Sequence, residues 1–283
     1  MDKERVSVAF QGEPGAYSEQ ALRKYYDRRD VEAGGTSFDS LEEVIRSVEK
    51  GRAKRGIIPV ENSVGGYVDS AYKLISQGGV YVRGEVYLRV RHSLLGVPGT
   101  DLGEVKRVYS HPQALKQCRD FLTELGVDTH ATYDTAGSAK MVREKGEPAI
   151  AAIASRFAGE KYGLDILRED VQTRENNRTR FLIVSSEPRR ERIKDVDYKT
   201  TITFELGDSP GSLYDCLAPF AEKGINLTLI QSRPTDSGSW EYHFDLELEG
   251  YSEEEPARSA LEELKNVVPR VEVLGSYPSG NRI

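Results

Sequence analysis

Lys199–Pro234 reads KTTITFELGDSPGSLYDCLAPFAEKGINLTLIQSRP, and this stretch decides the fold of the C-terminal third of the chain. Apolar residues alternate in Lys199–Leu206, a glycine-bearing turn follows at Gly207–Gly211, and a helical apolar pattern occupies Ser212–Lys223. A second alternating run, Ile225–Ser232, completes strand, helix and strand. The remaining signals predict a turn, a strand, a helix and a strand at Ser237–Gly238, Trp240–Leu248, Glu254–Val267 and Val271–Gly275. The predicted order β-α-β-β-α-β is the ferredoxin-like arrangement.

A charged segment separates this region from the rest of the chain. Glu187–Asp197 (EPRRERIKDVD) has few apolar residues and contains Pro188, a composition that is typical of linkers between domains. We therefore predict a first domain in residues 1–186, a linker in residues 187–198 and a second domain in residues 199–283.

The first domain alternates between strand and helix signals from its start. Val6–Phe10 alternates as a strand, Ser18 is expected to cap a helix, and Ser40 is expected to cap a second helix at Leu41–Lys50. Further strands are predicted at Gly56–Val60, Val80–Val97, Val105–Tyr109, Thr129–Tyr133, Ala149–Ile153 and Phe181–Ser185, and further helices at Asp69–Ile75, Gln113–Leu125, Ser138–Glu144 and Ser155–Tyr162. Strands that alternate with short helices predict an α/β architecture.

The net charge of −7 belongs to the second domain. Residues 199–283 carry 7 basic and 15 acidic side chains, and subtracting their −8 from the total of −7 leaves +1 for residues 1–198. The net charge of the first domain therefore does not repel an anionic ligand. We expect no binding of nucleic acid, because the chain has no basic stripe and no interleaving of basic and aromatic residues.

Several other classes of function lack their sequence signals. The start MDKERVSVAF has no apolar run of signal-peptide length, and no segment approaches the ~18 apolar residues of a membrane span, so we expect a cytoplasmic protein that does not contact membranes. Cys118 and Cys216 lie far apart without a CxxC pattern, which favours buried free thiols. The histidines have no metal-ligand spacing, and the phosphate-loop, GxGxxG and GxSxG patterns are missing.

Four short segments of the first domain place polar residues where a helix or a strand begins or ends. They are Pro59–Gly66 (PVENSVGG), Ser110–Leu115 (SHPQAL), Asp134–Ala139 (DTAGSA) and Asn176–Phe181 (NNRTRF). Backbone N–H groups at a helix N-terminus bind carboxylates or phosphates, and the loops of an open α/β sheet gather at one edge. Together the segments favour a site for a small anion, built from hydroxyl, amide and guanidinium groups.

Each segment also has a purely structural interpretation. Pro59–Gly66 is explained by a turn, Ser110–Leu115 by a helix with proline in its first turn, and Asp134–Ala139 by a helix cap. Asn176–Phe181 is harder to explain in this way, because two asparagines and two arginines precede a buried strand. In the second domain, Asp208–Leu213 (DSPGSL) and the QSRP segment fit either a small-ligand site closed by a dimer partner or ordinary turns of the fold.

Taken together, these segments resemble the prephenate dehydratase family over nearly the whole chain. Phe10–Ser18 (FQGEPGAYS) is similar to the family's opening strand and loop, Pro59–Ser63 (PVENS) to its P-[IV]-E-N-S segment, Ser110–Leu115 to its SHPQAL segment and Asn177–Phe181 to its N-x-T-R-F signature. The second domain resembles an ACT domain of the kind that binds phenylalanine, with GSL where GAL is usual and QSRP where ESRP is usual. The order and spacing of all these motifs make the resemblance specific.

The resemblance implies an activity and an architecture. The implied reaction converts prephenate to phenylpyruvate by decarboxylation and dehydration, a step toward phenylalanine. The implied fold is a catalytic domain of two α/β lobes around a cleft, similar to periplasmic binding proteins, followed by the ACT domain. Feedback inhibition by phenylalanine at an interface between ACT domains of a homodimer or homotetramer is also implied. No metal or organic cofactor is expected, because formation of an aromatic ring drives the reaction.

The resemblance also assigns roles to residues. Thr179 is the candidate for hydrogen bonding or proton donation to the leaving hydroxide, with a relay or a water if needed, and Arg180 for bidentate binding of a carboxylate. Phe181 is expected to shape the pocket, and Glu61 is a candidate proton source. The residues expected to orient the substrate are Asn62, Ser63, His111, Gln113, Thr135, Ser138 and Asn177.

The resemblance also implies a phenylalanine site and leaves two alternatives for the function. The effector residues implied are Gly211, Ser212, Leu213, Asn226, Gln231 and Ser232. Gln231 replaces the usual glutamate and removes a charge, and Ser212 replaces the usual alanine, so altered phenylalanine affinity is expected. Arogenate, the transaminated form of prephenate, is the alternative substrate, and a non-catalytic protein that binds small anions or amino acids is the alternative from another class.

Overall fold

Three β-sheets organise the part of the chain described by the computed structural model, namely residues 4–27, 29, 31–68, 70–189, 191–207, 209–234 and 242–280. The first two sheets form two lobes within the predicted first domain. The third sheet forms the second domain.

The first lobe is a six-stranded sheet whose last strand arrives from far along the chain. Its elements are β1 (Glu4–Gln11), α1 (Tyr17–Tyr26), β2 (Val31–Phe38), α2 (Leu41–Glu49), β3 (Arg55–Asn62), β4 (Gly66–Tyr67), α3 (Ala71–Gln77), β5 (Tyr81–Arg89) and the returning strand β11 (Arg178–Ser185). The order is β2-β1-β3-β11-β5, with β4 paired to β3. β11 lies between β3 and β5 and is antiparallel to both, so it places the Asn177–Phe181 segment beside the end of β3.

The second lobe is a five-stranded sheet in the order β10-β6-β9-β7-β8. Its elements are β6 (Ser93–Gly96), a 3-10 turn (Leu102–Glu104), β7 (Arg107–Ser110), α4 (Pro112–Gln117), α5 (Arg119–Leu125), β8 (Asp128–Ala131), α6 (Thr135–Lys145), β9 (Ile150–Ala154), α7 (Arg156–Tyr162) and β10 (Asp165–Arg168). The chain crosses between the lobes twice, after β5 and after β10, so the two lobes face each other across a cleft. This confirms the predicted arrangement of two α/β lobes around a cleft.

The third sheet confirms the predicted ferredoxin-like order. Its elements are β12 (Tyr198–Leu206), α8 (Ser212–Glu222), β13 (Leu227–Pro234), β14 (Tyr242–Glu249), α9 (Ala257–Val267) and β15 (Val271–Pro278). The strands are antiparallel in the order β13-β14-β12-β15. The predicted turn at Ser237–Gly238 and the residue Trp240 lie outside the described residues.

Some local predictions were wrong for identifiable reasons. Helix α1 begins at Tyr17 with Ala16 as its N-cap rather than Ser18, and the Glu19 carboxylate accepts the N–H of Gly15 at 2.7 Å. The helix predicted at Gln113–Leu125 is broken into α4 and α5 at Cys118. Strands β2 and β10 were not predicted, because both lie at sheet edges and lack a clear apolar alternation.

The ACT domain packs directly on the first lobe. Leu182 of β11 belongs to one buried cluster with Leu274 and Tyr277 of β15. A Cβ atom added to Gly275 would lie 2.1 Å from the carbonyl oxygen of Val82 in β5, so only glycine permits this approach of the two strands. The two domains therefore share a core.

Two further predictions concern the two cysteines and membrane-spanning segments. Cys118 and Cys216 are buried free thiols, as predicted, and burial raises the pKa of Cys118 to about 12. Among the helices of the described residues, none is long and apolar enough to cross a membrane.

Candidate active site

Strand β11 presents its side chains to opposite faces of the first sheet. Phe181 packs in a buried cluster with Leu22 and Tyr25 of α1. Thr179, two residues earlier, therefore faces the same side as α1, since side chains alternate along a strand. Arg180 faces the other side, toward the ACT domain.

Thr179 is held by a residue from a different predicted motif. The Asn62 side-chain Nδ2 donates to the Thr179 hydroxyl oxygen at 2.9 Å and to Asn177 Oδ1 at 2.8 Å. The side-chain Oδ1 of Asn62 accepts the backbone N–H groups of Val64 and Gly65, at 3.0 and 2.6 Å. Asn62 thus ties the turn after β3 to β11, and it leaves the hydrogen of the Thr179 hydroxyl available to a ligand.

A chain of hydrogen bonds continues from Asn177 across the cleft. Asn177 Nδ2 donates to Gln117 Oε1 of α4 at 2.7 Å, and His92 Nε2 lies 2.8 Å from the same oxygen. On its other side, His92 Nδ1 lies 2.9 Å from the hydroxyl of Tyr17 in α1. Because Gln117 Oε1 only accepts, His92 Nε2 donates to it. The Tyr17 hydroxyl donates to the Arg91 carbonyl oxygen at 2.7 Å, which fixes it beside His92. We call these residues, from Tyr17 through His92, Gln117 and Asn177 to Asn62, the interlobe chain.

The interlobe chain is neutral at physiological pH. Burial lowers the pKa of His92, although its hydrogen bond with Gln117 acts in the opposite direction. Burial also raises the pKa of Tyr17 well above its usual value. The chain can therefore orient groups and align the two lobes, but it holds no charge of its own.

Two cavities in the cleft flank the interlobe chain. One, of about 340 Å³, is lined by Gln113, Gln117 and Asn177 together with Lys116, Arg119, Arg174 and Asp120. The other, of about 530 Å³, is lined by Tyr17, His111 and Thr135 together with Glu13, Asp39 and Asp134. The first cavity is rich in cations and the second in carboxylates.

The structure separates the predicted substrate residues into groups. Gln113 and Asn177 line the cationic cavity, and a Cβ atom added to Gly65 would lie 3.2 Å from Gln113 Nε2, so α4 closes against the turn after Asn62. His111 and Thr135 line the acidic cavity, where His111 also caps α4 through its Nδ1.

Four other predicted residues take structural positions. Ser138 is fully buried, and its hydroxyl lies 2.5 Å from Thr132 Oγ1 and 2.8 Å from the Asp134 carbonyl oxygen. Ser63 clamps β3 to β11, since its hydroxyl donates to the Asn176 carbonyl and accepts from the Arg178 N–H. Phe181 is a core residue and lines neither of these cavities. Glu61 pairs with Arg180 in register and lines a separate cavity at the ACT domain, so it faces away from Thr179.

Arg180 contacts carboxylates of the protein itself, where a substrate carboxylate was predicted. Its side chain is 3% exposed, and its guanidinium already contacts the carboxylates of Glu85 and Glu247 at 2.6 and 2.8 Å. Both carboxylates lie on the face opposite Thr179, and Arg180 lines the cavity that also contains Glu61 and Thr228 rather than either cavity beside the interlobe chain. The alternation of side chains along β11 separates the two neighbours.

The predicted effector residues lie at two ends of the third sheet. Gly211, Ser212 and Leu213 start α8, directly after the end of β12, and Gln231 and Ser232 lie near the same end, because Leu206 and Pro234 both pair with Tyr242. Gly211 adopts a φ of +89°, which favours glycine. Asn226 precedes Leu227, which pairs with Leu248 at the opposite end, so one chain does not bring Asn226 to the others.

Tyr17, His92 and Gln117 were not predicted as site residues. Gln117 carries a readable signal, since it follows Gln113 by four residues and shares its helix face. Tyr17 and His92 carry no such sequence signal, because they come together only where the chain passes from the first lobe to the second after β5. Within the described residues, no group of His, Cys, Asp or Glu is suited to hold a metal ion.

The fold and the polar cleft define a two-lobed α/β domain that is joined to an ACT domain. Residues 8–189 match the family model described as prephenate dehydratase, and residues 200–266 match the model of the ACT domain. The chain belongs to the prephenate dehydratase family, and this membership makes it an enzyme, a lyase.

Relatives of known name agree with this family. The chain is 37% identical over 281 residues to a bifunctional N-acyl-homoserine lactone acylase/prephenate dehydratase of Komagataeibacter europaeus, covering 99% of this chain and 98% of that protein. It is 38% identical to arogenate dehydratase/prephenate dehydratase 1, chloroplastic, of Arabidopsis thaliana, covering 98% of this chain and 73% of that one. The crystal structure of prephenate dehydratase in complex with L-Phe from Arthrobacter aurescens superposes with a TM-score of 0.87 at 30% identity, covering 96% and 90% of the chains.

Proposed function

We propose that the protein catalyses the decarboxylating dehydration of prephenate to phenylpyruvate. The observation that carries this proposal is the Thr179 hydroxyl, whose oxygen accepts from Asn62 and whose hydrogen is left to donate toward the cleft. A hydroxyl that is fixed by an accepted hydrogen bond is preorganised to stabilise a departing oxygen.

The charges around the cleft support a substrate with two carboxylates. Lys116, Arg119 and Arg174 line the cavity beside Asn177, where Asp120 is the opposing charge. The acidic cavity instead contains three carboxylates, and Asp134 already caps α6 there through the N–H of Gly137. We therefore assign the carboxylates of prephenate to the cationic cavity, which Asn177 lines and Thr179 does not, and we propose that the ring hydroxyl reaches Thr179 past Asn177. Arg174→Gln should raise KM more than it lowers kcat.

The proposed reaction can be written with the substrate, water and the Thr179 hydroxyl. The bond between the ring and its carboxylate breaks to give carbon dioxide, the electron pair enters the ring, and the bond from the ring to its hydroxyl breaks. The departing hydroxide takes a proton from water while Thr179 donates a hydrogen bond to it. Prephenate and one proton thereby yield phenylpyruvate, carbon dioxide and water.

Arogenate is the alternative substrate, because the Arabidopsis relative is named for both activities. The purified protein should be incubated with prephenate and with arogenate in parallel while phenylpyruvate and phenylalanine are followed. A third incubation should contain an N-acyl-homoserine lactone, since the Komagataeibacter relative is also named as an acylase. We expect phenylpyruvate from prephenate at the highest kcat/KM. If the protein turns over only arogenate or only the lactone, the reaction of that substrate replaces the proposed one.

L-Phenylalanine is the proposed feedback inhibitor of this protein. The relative from Arthrobacter was solved with L-Phe, and the start of α8 lies at the same end of the third sheet as Gln231. Strand β13 is an edge of this sheet, with Ile230 exposed, and Leu213 and Tyr214 of α8 are exposed as well. Edge strands and exposed apolar side chains are typical of surfaces that pair with a second copy, so we propose a homodimer or a dimer of dimers.

The effector proposal has its own test. L-Phenylalanine should inhibit turnover and raise the melting temperature, since a ligand that binds only the folded state stabilises it by mass action. D-Phenylalanine serves as the control ligand. The absence of both inhibition and a melting shift at saturating L-phenylalanine would remove the effector site and leave the catalytic proposal intact.

A further inference from the structure

Arg180 joins the catalytic strand to the ACT domain through ion pairs. Its Nε donates to Glu85 Oε2 at 2.6 Å, within the first lobe. Its Nη1 and Nη2 atoms lie 2.8 Å from the two oxygens of Glu247, in β14 of the ACT domain. The contact with Glu247 is therefore bidentate, the geometry that fixes a guanidinium plane most firmly.

Two ion pairs join the domains, one with its cation in the first lobe and one with its cation in the ACT domain. Lys199 of β12 lies 3.0 Å from Glu85, so each domain supplies one cation and one anion. All four side chains are at most 3% exposed. Burial alone would raise the pKa of Glu247, yet Arg180 holds it below its usual value, so the carboxylate that Arg180 contacts is ionised. Removing one partner from such a cluster leaves a buried charge unpaired.

Glu247 is itself held in place by residues of several elements. Tyr72 of α3 donates its hydroxyl hydrogen to Glu247 Oε1 at 2.9 Å, and the Tyr277 hydroxyl of β15 lies 3.1 Å from the same oxygen. Thr201 of β12 adds a contact at 3.3 Å. Arg180 is thus anchored to a rigid point of the interface rather than to one mobile side chain.

The pairing of β11 with β3 changes register beside Arg180. The register between β11 and β3 shifts between Arg180 and Phe181, directly after the pair of Thr179 with Asn62. The extra residue of this bulge is Val60 of β3, and β11 keeps a regular register with β5 over residues 178–183, so the ladder of backbone hydrogen bonds is interrupted only on the β3 side of Thr179 and Arg180. Asn62 supplies the contact on the cleft face, and Arg180 supplies the contact on the ACT face.

We propose that Arg180 is a positioning residue through which Glu247 of the ACT domain sets the geometry of Thr179 in the cleft. The catalytic site is then complete only when the ACT domain is docked. The inference rests on the proposed function for its kinetic readout alone. Loss of a positioning residue should lower kcat, whereas loss of a substrate-binding arginine should raise KM, so steady-state kinetics separate the two roles.

The central experiment compares Arg180→Lys, Arg180→Met and the double variant K199M/E247Q with the wild type. The double variant removes one charge of each sign from the ACT side, so the remaining Arg180–Glu85 pair stays neutral and folding is protected. A displacement of Thr179 should lower kcat about 10- to 100-fold with KM within about twofold. Arg180→Lys should retain more activity than Arg180→Met. Glu249→Gln is the matched control, because Glu249 lies on the same strand and is exposed.

Two results would overturn the proposal. An increase of KM in the Arg180 variants, together with unchanged kinetics of K199M/E247Q, would mean that Arg180 binds substrate. Wild-type values of kcat and KM in all the variants would mean that the contact between Arg180 and Glu247 does not act on the catalytic site.

A second readout does not depend on turnover. Amide hydrogen exchange of a peptide covering residues 176–182 should be faster in K199M/E247Q than in the wild type and in Glu249→Gln. Unchanged exchange would contradict the proposal even if the substrate assignment were wrong. Conversely, faster exchange in a protein that turns over neither prephenate nor arogenate would support the anchor while removing the proposed function.

Discussion

The side-chain amide of Asn62 donates to the hydroxyl of Thr179 at 2.9 Å, although the two residues are 117 positions apart in the chain. The pairing of β3 with β11 makes this contact, since Asn62 and Thr179 are register partners in antiparallel strands. One hydrogen bond therefore joins the PVENS and N-x-T-R-F segments into a single site.

Thr179→Ala should lower kcat by about 100-fold or more, because the donor to the departing oxygen is removed. Folding should change little, since Asn62 keeps its hydrogen bond to Asn177. Steady-state kinetics and thermal unfolding check both parts. Thr129→Ala, at an exposed position of β8, is the control. Near-normal turnover of Thr179→Ala would exclude this hydroxyl from the mechanism.

Asn62→Ala should affect both activity and stability. Its side-chain oxygen accepts the N–H groups of Val64 and Gly65, so its loss should reduce the free energy of unfolding by roughly 1–3 kcal/mol. The kcat should fall as well, because Thr179 loses the contact that orients it. Denaturant unfolding and kinetics measure the two effects. Asn176→Ala, at an exposed neighbour of the same segment, should show neither, and equal behaviour of the two variants would refute the assigned role.

The free energy of unfolding should depend on pH through His92. Burial lowers the pKa of His92 in the folded state below its ordinary 6.5. Below pH 6.5 the unfolded state therefore binds a proton that the folded state does not, so stability falls as the pH drops from 6.5 toward the folded-state pKa. His92→Gln should flatten this dependence in denaturant titrations, and His130→Gln, at an exposed ring, should not. An unchanged slope in His92→Gln would contradict the expectation.

Truncation after residue 189 should destabilise the catalytic domain. The cut removes Leu274 and Tyr277 from the shared core and exposes Arg180 and Glu85 to water without their ACT partners. We expect a lower melting temperature and increased aggregation of the truncated chain, measured by calorimetry and light scattering. Retention of the full-length melting temperature would show that the interface contributes nothing to stability.

Local patterns were sufficient for much of the fold. The alternation in Lys199–Leu206 and the helical spacing in Ser212–Lys223 predicted β12 and α8 to within a residue. The alternation did not reveal that β12 is buried on both faces, because its polar side chains are covered by the first lobe. Ser40 caps α2 as predicted, by accepting the N–H of Glu43 at 3.2 Å. Edge strands such as β2 were not predicted, because they bury too few side chains to require an apolar alternation.

The sequence by itself determined the class of fold, the motifs and the importance of the Asn177–Phe181 segment. It did not determine which of two adjacent residues faces the cleft between the lobes. Thr179 and Arg180 are neighbours in the motif, yet the pleat of β11 sends one side chain to the cleft and the other to Glu85 and Glu247. Only the tertiary structure decided this, because the ACT domain supplies the carboxylate that Arg180 binds, and that partner lies 67 positions further along the chain.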